Sequence, residues 1–212
     1  MEQALHRQIL LGRQSHNDPQ RWGCEEHDYG VLNRILIQYR PRSILDCGCG
    51  SGRLFKLYVE NKVENIVGVD VSAQALVLAN QRFPDVPTMH TRLEDLAFPT
   101  GRFDIAICNR VLQYVPQHSI ADVVGKLCRI SHLVYVNELL DAAEENFYMV
   151  RHDYVALFTQ EGFRLLEEGN LGERPINFMA GRRRLWLGNR TWRRTLSVAQ
   201  VSLYPEIGCG AP

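Results

Sequence analysis

Apolar positions along the chain recur at two different spacings. Val31, Leu32, Ile35, Leu36 and Tyr39 fall on one helical face, and Pro41 stops that helix. The run Ser43-Ile44-Leu45-Asp46-Cys47 reads as a buried strand, followed by glycines at 48, 50 and 52. A helix is expected to open near Arg53, with Leu54, Leu57 and Tyr58 on one face. Residues 65–69 predict a second strand, ended by Asp70, and Ser72 is the expected N-cap of a helix carrying Ala75, Leu76 and Ala79. Further strands are expected at 86–90, at 103–108 after a turn at Pro99-Thr100-Gly101, and at 133–136. A helix through Ile120, Val123, Val124 and Leu127 precedes the last of these, and Tyr154, Leu157 and Phe158 mark a final helix closed by Gly162. Residues 163–168 and 176–180 predict a terminal hairpin, its second strand running into Arg182-Arg183-Arg184. Apolar runs alternating with helical patterns are the signature of a parallel sheet with crossover helices, an α/β fold.

Composition bounds the function. The 212 residues, 45% apolar and 23% charged, suffice for one well-packed core. With 24 basic and 24 acidic side chains, the surface as a whole is not built to grip nucleic acid or an anionic membrane. The balance is uneven, since residues 182–212 carry six Arg and one Glu and the remainder is correspondingly acidic. No stretch approaches the ~18 apolar residues of a membrane span, and the start, with Glu2, His6 and Arg7, lacks the apolar core of a signal peptide. Cys47-x-Cys49 is too tightly spaced for a zinc knuckle and no second pair follows, so no metal is expected. Cys108 and Cys128 lie in apolar runs, as buried thiols do in a reducing compartment, and a cytoplasmic protein without a membrane partner is expected.

The chemistry concentrates in Asp46-Cys47-Gly48-Cys49-Gly50-Ser51-Gly52 and in Gly68-Val69-Asp70. A glycine-rich turn between a strand and a helix lets backbone approach a ligand, with N–H groups and the helix dipole expected to face it. An acidic residue ending the next strand can accept both hydroxyls of a ribose. A dinucleotide site wants G-x-G-x-x-G under a pyrophosphate. Here the spacing is G-x-G-x-G with Asp46 just before it, and a carboxylate there repels a pyrophosphate but orients an ammonium. The pattern favours a cationic, phosphate-free ligand carrying an amino acid and a ribose.

These residues, with Leu93-Glu94-Asp95-Leu96, the run 103–109 and the ending Tyr154 to Phe163, resemble the class I S-adenosylmethionine-dependent methyltransferases over roughly residues 32–180. The resemblance implies a Rossmann-like, seven-stranded, mostly parallel sheet with helices on both faces and an antiparallel last strand. It implies S-adenosyl-L-methionine as cofactor. Asp46 and the backbone of Gly48, Cys49 and Gly50 would hold its methionyl end. Asp70 would take the ribose, Val71 the adenine face, Leu93 the adenine edge through its backbone, and Asn109 would lie beside the sulfonium. Many relatives carry an acid where Arg92 stands, so Glu94 or a backbone carbonyl would have to receive the adenine amine, or cofactor affinity would be lower. The implied organisation is an N-terminal segment 1–30 able to act as a lid, a methyltransferase domain 31–184 and a basic extension 185–212.

Methyl transfer is an in-line displacement that positioning can accelerate, and a base is needed only for a protonated nucleophile. The sequence singles out no catalytic base. Gln113 and Tyr114 follow the fourth strand, and Asn137 and Glu138 end the fifth, both on the ligand side of such a sheet. Their plainer roles are packing and a solvated loop start. His132 is read as capping a strand, and Arg151-His152-Asp153 either lines the acceptor pocket or starts a helix with Asp153 as N-cap. Trp22 and Tyr29 are a lid or anchors on the fold. Arg182, Arg183, Arg184, Arg190, Arg193 and Arg194, interleaved with Trp186 and Trp192, form either a solvated surface or a polyanion site. The expected function is methyl transfer to an O or N of a small molecule, with nucleic acid disfavoured and a homodimer open. The alternatives are an RNA or protein methyltransferase using the basic tail, and a catalytically silent cofactor-binding subunit.

Overall fold

A computed structural model describes residues 25–139, 150–170 and 181–187. Helix α1 (Glu25–Tyr39) leads into β1 (Ser43–Cys47), α2 (Phe55–Glu60), β2 (Asn65–Asp70), α3 (Ala73–Arg82) and β3 (Thr88–His90). After a 3₁₀ turn at Leu93–Asp95 come β4 (Phe103–Asn109), a second 3₁₀ turn at Leu112–Tyr114, α4 (Ile120–Ile130) and β5 (Ser131–Leu139). Helix α5 (Tyr154–Gln160), β6 (Arg164–Asn170) and β7 (Gly181–Leu187) follow. The sheet runs in the order β3-β2-β1-β4-β5-β7-β6, with β1 to β5 parallel to one another. Strand β7 pairs antiparallel to both β5 and β6.

Side-chain alternation explains why helices cover both faces. Leu45, Cys47, Ala106, Cys108, Val134 and Val136 pack with Val123, Leu127 and Phe158 on the α4–α5 side. Their neighbours Ile44, Ile105, Ile107, Leu133 and Tyr135 pack with Leu32, Leu36, Phe55, Tyr58 and Leu76 on the other. Strands buried on both faces read as continuous apolar runs, which is why the sequence exposes them clearly. Ser72 caps α3 by accepting the Ala75 N–H, and Asp153 caps α5 by accepting the Ala156 N–H.

Four elements differ from the sequence reading. Strand β3 is confined to Thr88–His90, because Val86 closes a turn onto Phe83 and Pro87, lacking an N–H, contributes only its carbonyl to Gly68. Helix α2 opens at Phe55 rather than Arg53, since Gly52 takes φ +74° and prolongs the preceding turn. Strand β5 reaches from Ser131 to Leu139, pairing with β4 on one side and β7 on the other. Strand β7 is Gly181–Leu187, so the Arg182-Arg183-Arg184 run lies inside the strand, while 176–180 fall outside the described residues. Its register is set by pairing along β5, from Leu139 opposite Gly181 to Leu133 opposite Leu187, and no local pattern encodes that. Helix α1 begins before the expected boundary at 30/31, and β7 crosses the one at 184/185.

Candidate functional site

Strand order reverses between β1 and β4, and ligands of open α/β sheets bind at the carboxyl ends beside such a reversal. The loop after β1 lies there. Gly48, Gly50 and Gly52 have φ of +68°, +55° and +74°, a left-handed backbone that side chains resist. The N–H groups of Gly48 and Cys49 both donate to the Val69 carbonyl, at 2.8 and 3.0 Å. The Gly50 N–H donates to Asp70 Oδ2 at 2.8 Å, and Asp70 Oδ1 accepts the Ser72 N–H at 2.8 Å. The expectation that loop N–H groups face a ligand is therefore corrected. Those of residues 48–50 are spent on β2, and the six-residue α2 has no side-chain cap. A phosphate, which needs donors, gains little here.

A cation fares better. Asp46 is 2% exposed, and its Oδ2 has no hydrogen-bond partner among the described residues. Burial pushes its carboxyl up to about 7, against the pull of the Arg53 charge and the nearby Tyr58 hydroxyl, with Asp70 adding to the rise. Tyr58 is fully buried, and its hydroxyl sits near that carboxylate without closing a hydrogen bond to it. A buried acceptor with no donor is an incomplete site that an ammonium would complete. Burial, then the charges of Asp46 and Asp70, raise the Cys49 thiol far above its usual range, so it is not a nucleophile.

The other expected positions spread around this loop. Val71 is 41% exposed just past β2, an apolar surface at the loop rim. Leu93 turns its side chain into the core beside Val69 and leaves only backbone for a ligand. The Glu94 carboxylate pairs with Arg92 at 3.0 Å, which occupies one oxygen of the group expected to replace the missing acid. Lys126 donates to the Glu94 carbonyl. Asn109 ends β4, where its Oδ1 accepts the Asn137 Nδ2–H at 2.9 Å. Arg110 follows at φ +58°, its N–H held by the Asn137 carbonyl at 2.7 Å.

Several candidates resolve to structural roles. His132 lies at the opposite end of β5, against Gly101. His152 is buried, its Nε2 beside the Val115 carbonyl and its Nδ1 beside Gln117, each at 3.0 Å, and burial lowers its pKa. Asp153 is the N-cap of α5. Tyr29 donates to the Arg53 carbonyl at 2.8 Å and anchors α1 on the loop; Trp22 lies outside the described residues. Tyr114 is 47% exposed, whereas Gln113 is buried. Glu138 is no solvated loop start: it is 1% exposed and accepts the N–H groups of Val111 and Leu112 at 2.9 and 2.7 Å. Burial pushes its carboxyl up to about 8, against those backbone donors. The sequence reading missed Tyr58 and Val111. Tyr58 shares a helical face with Leu54 and Leu57 and reads only as core, and Val111 carries no local signal. Among the described residues no cluster of metal-ligating side chains occurs, and no helix is long and apolar enough to cross a membrane.

Residues 44–132 match the model of a family described as "Methyltransferase domain". The trans-aconitate 2-methyltransferase of Acidovorax sp. (strain JS42) is 36% identical over 80 residues, covering 37% of this chain and 31% of that protein. The tRNA U34 carboxymethyltransferase of Alcanivorax borkumensis is 31% identical over 129 residues, 58% of this chain and 40% of that protein. The chain thus spans between 31% and 40% of the length of these curated relatives. In fold it is similar to the 1,6-didemethyltoxoflavin-N1-methyltransferase of Burkholderia thailandensis, with a TM-score of 0.69 and 14% identity over 88% of each chain.

Proposed function

We propose, from the match of residues 44–132 to a family described as "Methyltransferase domain", that the chain is a class I S-adenosylmethionine-dependent methyltransferase that transfers a methyl group to an oxygen or nitrogen of a small molecule. When bound, S-adenosyl-L-methionine supplies an electrophilic methyl on a sulfonium. The observation that carries the reading is the unpartnered Asp46 Oδ2 behind a loop whose amides are spent on β2. Such a loop suits a ligand that arrives with an ammonium and no phosphate.

In this reading Asp46 receives the ammonium and the open backbone of Gly50 admits the methionyl chain, with Gly48 and Cys49 contributing backbone. Asp70, whose two oxygens accept the Gly50 and Ser72 N–H groups, would take the ribose hydroxyls. Val71 offers an apolar face to the adenine, and the Leu93 backbone its edge. Asn109, fixed by Asn137, borders the transferring methyl. The reading takes the sheet as the seven-stranded form of the fold with an antiparallel last strand, supported by the pairing of β7 along β5. It also takes the main domain as running to the end of β7 and the protein as cytoplasmic, with a homodimer as a candidate assembly. Small-molecule acceptors are supported by the names of the trans-aconitate and toxoflavin-precursor relatives.

Two measurements test this. Calorimetry should show S-adenosylmethionine and S-adenosylhomocysteine binding while NAD does not; tighter NAD binding would overturn the cofactor. Incubation with methyl-labelled cofactor should place label in a pool of small metabolites. Label in RNA or protein would move the acceptor to the tail-binding alternative, and binding without any labelled product would favour the silent subunit.

A further inference from the structure

We propose that Glu138 is a positioning residue that fixes the acceptor-side loop after β4 and, through Val111, ties that loop to the cofactor loop at Gly48. The inference rests on the methyltransferase reading for its meaning, though its hydrogen bonds stand without it. Glu138 lies at the carboxyl end of β5, in the strand pair whose register sets Asn109 beside Asn137. Its Oε1 accepts the N–H groups of Val111 and Leu112 at 2.9 and 2.7 Å, and its Oε2 lies 3.4 Å from the Gln113 N–H. Those amides open the 3₁₀ turn Leu112–Tyr114, where no side chain of the turn itself supplies a cap. One buried carboxylate, from a strand 25 to 27 residues further along the chain, does that work instead.

The same segment is held from its other side. The Val150 N–H donates to the Gln113 carbonyl at 2.8 Å, and His152 Nε2 lies 3.0 Å from the Val115 carbonyl. Its N-terminal end is held by the Arg110 N–H on the Asn137 carbonyl. What connects it to the cofactor loop is packing. A Cβ built on Gly48 would lie 2.6 Å from Val111 Cγ2, so the Val111 side chain sits directly on the Gly48 backbone. The residue whose N–H Glu138 holds is therefore the residue that covers Gly48. A ligand that settles the glycine loop also settles Val111, and Glu138 passes that order to the turn that exposes Tyr114.

Single-residue amide exchange tests both links. In the ligand-free protein above pH 8, where Glu138 is ionised, the Val111 and Leu112 amides should exchange slowly, and Glu138→Gln should speed them about tenfold, since a neutral amide accepts less strongly than a carboxylate. Exchange at Ile105 and Ile107, in mid-strand, should stay as it was, showing that the fold is intact. S-adenosylhomocysteine should slow the 111–112 amides further in the wild type. In Val111→Ala, where the Glu138 bonds remain, the ligand should bind without adding that protection. Unchanged exchange in Glu138→Gln would overturn the role of Glu138, and equal ligand protection in Val111→Ala would overturn the link to Gly48. If the wild type binds no S-adenosylhomocysteine, the methyltransferase reading and the coupling fall together, while the ligand-free arm still decides what Glu138 holds.

Discussion

Asp46, next to last in β1, and Asp70, the last residue of β2, flank the same loop, yet the protein treats them differently. Asp70 carries two backbone N–H donors, whereas the Oδ2 of Asp46 has no hydrogen-bond partner among the described residues. Replacing Asp70 by Asn turns an amide NH₂ toward one of those donors and removes charge from any ribose contact. Affinity for S-adenosylhomocysteine should fall by about 1.5–3 kcal/mol, the worth of a charged hydrogen bond, and calorimetry giving wild-type affinity would remove Asp70 from the site. The buried carboxyls also make stability depend on pH. Asp46 and Glu138 are raised to about 7 and about 8, so the native state keeps protons that the unfolded chain has already released. Their contribution is fully present below the ordinary carboxylate range. It is lost as pH climbs to about 8 and is level beyond, so urea midpoints should decline over that span. Ligand affinity should run the other way for Asp46, rising toward pH 7 as the carboxylate ionises to meet an ammonium. Asp46→Asn should abolish that rise.

Within elements, glycines that look alike in sequence do different things. Gly68 sits in β2 with an ordinary backbone, but a Cβ there would meet Phe55 Cζ at 2.5 Å and Cys49 Sγ at 2.8 Å. Gly50 has φ +55° and open space around it. Gly68→Ala should therefore cost stability of about 1–3 kcal/mol by overpacking, visible in thermal melting. Gly50→Ala should cost about 1 kcal/mol of backbone strain, yet reduce cofactor affinity far more than Gly68→Ala does, because its methyl occupies the face offered to the ligand. The reverse order of affinities would show that the ligand does not lie against Gly50. Helix α5 is short and depends on its cap: Asp153→Ala should cost about 0.5–2 kcal/mol, and an unchanged melt would mean that packing of Tyr154 and Phe158 alone holds it.

At the scale of the molecule, the question is where the sheet ends and what the basic tail does. Strand β7 pairs with β5 from Leu133 to Leu139, so removing residues 181–212 uncovers a long, apolar edge strand. That truncation should melt lower or associate, whereas removal of 188–212 should leave the sheet intact. Residues 182–212 carry six Arg and one Glu against an acidic remainder, which argues for attraction within the chain or to a second copy rather than to a long polyanion. RNA retention at low salt, falling steeply as salt rises and absent from the shorter protein, would show the opposite.

The positions of the loop glycines and of their flanking acids were legible in the sequence because they are local. Three glycines, an acid before them and an acid ending the next strand are fixed by spacing alone, and so are the strands buried on both faces and the caps Ser72 and Asp153. Side chains and backbone within a few residues of one another need no knowledge of the rest of the fold. The direction of the loop amides was not legible, because the Val69 carbonyl and the Asp70 carboxylate reach them only once β1 and β2 lie side by side. Neither was the register of β7, which pairing along β5 decides, nor the seat of Val111 on Gly48. Glu138 shows the division most plainly. Its sequence marks a charge at the end of an apolar run, compatible with solvent or with chemistry. Only the approach of β4 to β5 places three backbone N–H groups, otherwise without a cap, around a carboxylate that has left water.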